Sequence, residues 1–182
     1  DRIWFANFLT GAVTAVTIPQ NISGSGVFAN ASVPTAMFIA MTVNNSSSSG
    51  VTFVSGINPT FSGPQADILT VTNGKLNADG ISILGNTSSL AIALSASTSS
   101  INVQNFTLNY INGVSLSGSG FLNVTGVYTK TAGILAAGGR LTLKSSLAGT
   151  ARVAQVLSGD ITGTVNVERY IPGGRRTNRF LG

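Results

Sequence analysis

The chain has 182 residues, no cysteine, no histidine, a net charge of +5, and 8% charged residues against 43% hydrophobic ones. That inventory excludes a disulfide framework, thiolate or imidazole chemistry and a cysteine- or histidine-bound metal. It leaves enough apolar side chain for one buried core in one domain.

The first residues, Asp1-Arg2-Ile3-Trp4-Phe5, lack the basic start, sustained apolar run and cleavage site of a secretory leader, so the chain is expected to be mature or excised from something longer. Trp4, Phe5 and Phe8 cluster here and are expected to cap an open sheet end or to contact a neighbour. The longest apolar run, Ala36 to Met41, is β-like and far shorter than the roughly 20 residues of a membrane span, so no membrane insertion is expected. No segment carries apolar residues at helical spacing between caps. From Ile68 onward, short segments alternate apolar and polar residues, the two-residue period of a strand with one face buried. They are Ile68–Thr72, Ile81–Ile83, Leu90–Leu94, Phe106–Leu108, Phe121–Val124, Arg140–Lys144 and Thr164–Val167.

Self-similarity organises these segments. Thr72 to Gly80 and Thr131 to Gly139 share the frame T-x-G-x-L-x-A-x-G at an offset of 59 residues, and weaker copies start near Ile22, Val43, Phe61, Leu94, Leu116 and Leu157. A period near twenty predicts an all-β, right-handed parallel β-solenoid with about 20 residues per coil, in which short strands pair above and below. A β-sandwich is the competing architecture, since it too has many short strands with frequent turns. The expected layout is a cap or interaction segment over 1–20, coils over 21–160, and a basic strand, linker or docking segment over 161–182.

The basic character is confined to the end. Residues 1–129 hold two basic against three acidic side chains, whereas 130–182 hold eight against two. Aromatic and basic residues do not interleave along a face there, so no nucleic-acid partner is expected.

Arg140-Leu141-Thr142-Leu143-Lys144-Ser145, the stretch Gly149 to Ala154, Val167-Glu168-Arg169-Tyr170-Ile171-Pro172 with Arg175 and Arg176, and Arg179-Phe180-Leu181 follow one another here. This passage over residues 140–182 resembles one that recurs in large secreted, cell-surface repeat proteins of Bacteroidota that are type IX secretion substrates; the preceding repeats are similar to theirs only in style. The resemblance implies an extracellular location on a bacterial surface and a piece of a longer or processed polypeptide. It names no reaction.

Chemistry-bearing residues are sparse. Asp1, Asp67, Asp79, Asp160 and Glu168 are scattered, without a paired-carboxylate or calcium-loop pattern, and Asp67 and Asp79 read as turn residues. No catalytic residue, cofactor or metal is assigned, and the chain is expected not to be an enzyme. Glu168, Arg169, Tyr170, Arg175, Arg176 and Arg179 form the densest polar group, read as a docking surface, an ion-paired ordered linker, or an arginine site for acidic glycans. The leading expectation is a structural or adhesive surface module, a spacer or filament-forming subunit that associates end to end or with neighbouring domains. A polysaccharide-active β-helix enzyme and a carbohydrate-binding module are the alternatives.

Overall fold

A computed structural model describes residues 16–18, 26–28, 37–38, 41–44, 50–53, 55–56, 58–62, 67–85, 90–154 and 160–172. Every regular element among them is a strand. The first two turns of chain run β1 (Val16–Ile18), β2 (Gly26–Phe28), β3 (Met37–Phe38), then β4 (Met41–Asn44), β5 (Val51–Phe53), β6 (Thr60–Phe61). Next come three turns of two strands each: β7 (Asp67–Asn73) and β8 (Lys75–Gly85), β9 (Leu90–Leu94) and β10 (Ser100–Tyr110), β11 (Val114–Gly118) and β12 (Phe121–Ala132). The end of the fold comprises β13 (Leu135–Ala136), β14 (Leu141–Leu143), β15 (Ser145–Ser146), β16 (Gly149–Thr150), β17 (Arg152–Val153), β18 (Ile161–Thr162) and β19 (Val165–Val167).

The strands stack in parallel as a β-solenoid. One sheet runs β1-β4-β7-β9-β11-β13-β18, and a second has the path β19-β14-β12-β10-β8-β5-β2. The long strands of the second sheet do the work of two: β8 pairs with both β5 and β6, and β12 with both β14 and β17. Each turn therefore visits three strand positions around one core. Among the described strands, only β15 and β16 pair antiparallel, in a small hairpin that leaves the stack. Seven stacked strands at ~4.8 Å give a rise of about 29 Å.

Alternation explains the burial. In β10 the buried residues are Ile101 and Val103, then Phe106, Leu108 and Tyr110, with Gln104 and Asn105 both outward between them. That lost beat is where one strand passes from one flank of the core to the next. Inward residues stack on their counterparts one turn away: Val51, Leu76, Ile101, Leu122 and Leu141 form one column, and Leu90, Val114 and Leu135 another. Phe106 and Tyr128 stack with ring centroids 6.0 Å apart.

Two features differ from the sequence reading. Register partners Val51, Leu76, Ile101, Leu122, Leu141 and Val165 are separated by 25, 25, 21, 19 and 24 residues, so the coil varies in length and on average runs slightly longer than the twenty-residue period. The reason lies in the repeated frame. Its Gly74 and Gly133 have φ of +82° and +78°, and each precedes a buried leucine by two residues. Yet Leu76 lies in the second sheet and Leu135 in the first. The frame is a corner motif used at different corners, and its 59-residue offset spans about two and a half coils. The stack also extends past 21–160: β1 pairs with β4, while β18 and β19 pair with β13 and β14.

Candidate functional site

A column of short polar side chains runs up the outside of the second sheet. Asn77 Nδ2 donates to Thr52 Oγ1 at 3.2 Å, Asn102 Nδ2 to Asn77 Oδ1 at 2.9 Å, and Asn123 Nδ2 to Asn102 Oδ1 at 2.8 Å. In-register stacking makes this inevitable: identical carboxamides one rung apart fall within hydrogen-bond reach, each donating to the next. Thr142 and Asn166 continue the column by register, and Asn166 Nδ2 donates to the Gly139 carbonyl at 2.9 Å.

Beside this ladder lies a groove of about 470 Å³. Its floor spans β5, β8, β10 and β12, and the β15–β16 hairpin borders it through Ser146, Ala148 and Gly149. Asp79 lies on its lining, with its carboxylate accepting from the Ser55 hydroxyl at 2.6 Å and the Gly56 N–H at 3.0 Å. The Ser55 hydroxyl, aided by the Gly56 N–H and opposed by slight burial, holds this carboxyl below its ordinary value. A depressed acid stabilises the fold above its unfolded pKa, so the Ser55–Gly56 attachment is present at neutral pH and is lost as pH falls through the folded value. Asp79 thus lies inside a strand, not in the expected turn, although it still binds backbone. Asp67 opens β7 in the other sheet, so the two acids belong to different sheets.

The C-terminal group is partly assembled. Lys144 Nζ pairs with Glu168 Oε1, and the Ser145 N–H reaches Glu168 Oε2 at 3.4 Å. Hydrogen bonding by Lys144, more than its charge alone, lowers the Glu168 pKa. Among the described residues the partner of Glu168 is thus a lysine. Glu168 N donates to the Leu143 carbonyl and Tyr170 N to Ser145 Oγ, both at 2.9 Å, so residues 168–170 are laid against the end of β14. Arg169 and Tyr170 are exposed. Trp4, Phe5, Phe8, Arg175, Arg176 and Arg179 lie outside the described residues.

No family model, no curated protein and no solved structure matches the chain. Its surfaces are therefore read from their own geometry.

One buried polar group went unread in the sequence. Lys130 is the register partner of Leu108, in the inward column that begins Phe61, Ile83, Leu108. Its ammonium pairs with Asp160 Oδ1, the side chains being 19% and 2% exposed. The Tyr128 hydroxyl and Asp160 Oδ2 are buried without a hydrogen-bond partner among the described residues. Desolvation, reinforced by the Asp160 charge, pushes the Tyr128 phenol far up, so it stays protonated at any ordinary pH. This group lies inside the stack, where it offers structure more than reaction. No cluster of three potential metal ligands exists among the described residues.

Proposed function

We propose that this chain is a non-enzymatic structural module of a bacterial surface protein, a stiff spacer or filament-forming segment that associates end to end. The observation that carries this reading is the C-terminal face of the stack. Strand β19 pairs with β14 along one edge and, among the described residues, has no strand on the other. Beside that edge Val167 and Ile171 are each 68% exposed and Tyr170 is 41% exposed. An unpaired edge flanked by apolar side chains is a template for another strand, and contact with the opposite end of a second copy is heterologous and can propagate. The low charge and absence of cysteine agree with an extracellular setting, as does the likeness of the 140–182 passage to surface proteins of Bacteroidota.

A polysaccharide hydrolase of the usual kind uses two carboxylates flanking the scissile bond. The groove lining contains Asp79 as its one carboxylate among the described residues, already bound to Ser55 and Gly56. The structural reading is therefore better supported.

Sedimentation and negative-stain imaging test it. The wild-type chain is expected to form concentration-dependent linear oligomers, and the double variant Val167→Lys, Ile171→Lys to stay monomeric with an unchanged circular dichroism spectrum. A wild-type chain that remains a monodisperse monomer at high concentration would overturn the proposal.

A further inference from the structure

The groove over the second sheet is a second surface, independent of the stack's ends. Four strands form its floor, so it runs about 14 Å along the stack at ~4.8 Å per rung. Its polar lining includes Asn77, Asn102, Gln104 and Thr125 with Asp79, and its apolar lining includes Ala78, Val103 and Ala148. Among the described residues, lysine and arginine are absent from this lining. That chemistry sorts candidate ligands. A polyanion would meet Asp79 and find no cation to offset it. A peptide strand would have no sheet edge to extend, because β8 and β10 are paired on both sides. The mixture of carboxamides, hydroxyls and small apolar side chains instead complements a chain of hydroxyl-bearing rings: amides donate and accept at once, a carboxylate accepts from hydroxyls, and methyl groups meet C–H faces.

We propose that this groove binds an uncharged glycan chain, laid along the stack across the Asn77 and Asn102 rungs and bordered by the β15–β16 hairpin. The ladder suits this role. Neighbouring rungs fix each carboxamide in place, so little side-chain freedom is lost when a ligand docks. The hairpin, the only antiparallel excursion among the described strands, supplies the groove's border through Ser146, Ala148 and Gly149.

The test uses the full chain on an array of neutral hexan, xylan and N-acetylhexosamine oligosaccharides printed beside uronic-acid and sulfated ones. Binding to at least one neutral class is expected. Ala148→Trp, placed on the exposed hairpin, should fill the groove mouth and abolish that binding. Gln104→Ala, at an exposed position, should weaken it about tenfold, the scale of one or two lost hydrogen bonds. Both variants are expected to melt with the wild-type chain. Retention of acidic glycans alone, no retention of any neutral one, or neutral binding that Ala148→Trp leaves unchanged in a folded variant would each overturn the proposal. End-to-end assembly is read separately by sedimentation, so either reading can fail without the other.

Discussion

Lys130 shows how far stacking governs a single side chain. The column it ends is otherwise Phe61, Ile83 and Leu108, and register places its aliphatic stem on Leu108 with its ammonium against Asp160. Burying two charges is costly, and their attraction with good hydrogen bonding roughly offsets that cost; removing one partner leaves the other stranded. Lys130→Met is therefore expected to destabilise the chain by about 3 kcal/mol, because Asp160 is almost wholly buried. Adding Asp160→Leu should recover most of that loss. Chemical denaturation of both variants checks the pair; a single variant as stable as wild type would contradict the buried-charge account. Neither residue stood out in the sequence, where Lys130 follows a threonine and Asp160 follows Ser158 and Gly159. What makes them a pair is the return of the chain 30 residues later, a contact that spacing alone does not reveal.

At the level of elements, the amide ladder ties successive strands of the second sheet together. Asn102 occupies its middle, donating to Asn77 Oδ1 and, at 3.3 Å, to Ser100 Oγ, while accepting from Asn123. Asn102→Asp keeps the acceptor but replaces the donor to Asn77 with a charge facing a carbonyl oxygen. A loss of about 1–3 kcal/mol is expected. Asn109→Asp, at an exposed position of the same strand, should cost little. Equal effects at the two positions, measured by thermal or denaturant unfolding, would show that the ladder contributes nothing beyond side-chain identity. The ladder also marks what was legible. Alternating strands separated by small polar turns were readable in the sequence because burial on one face imposes a two-residue period. The coil length varies from 19 to 25 residues around the expected twenty, and the conspicuous T-x-G-x-L frame does not set it because that frame belongs to corners, which recur more than once per turn. The true period sits in a plainer triplet of apolar, Asn or Thr, apolar: Val51-Thr52-Phe53, Leu76-Asn77-Ala78, Ile101-Asn102-Val103, Leu122-Asn123-Val124, Leu141-Thr142-Leu143 and Val165-Asn166-Val167. The triplet could have located both the coils and the groove beside them.

For the molecule as a whole, short strands suffice because each has neighbours above and below, and stability grows roughly with the number of stacked interfaces. The same geometry sets the two proposed surfaces: an edge strand with no second partner among the described residues, beside which Val167 and Ile171 are exposed, and a ridged side, where identical rungs border a groove. Both depend on parallel, in-register stacking. Since the chain has no cysteine, engineered pairs report that register cleanly. Ser82 partners Thr107, and Thr107 partners Thr129, at a separation of ~4.8 Å that a disulfide can span. Oxidation followed by peptide mapping is expected to bridge Ser82→Cys with Thr107→Cys, and Thr107→Cys with Thr129→Cys. Ser82→Cys with Thr129→Cys, two rungs apart at about 10 Å, should remain unbridged. Bridging of that distant pair, or failure of both adjacent pairs in folded protein, would contradict the stacked-coil account.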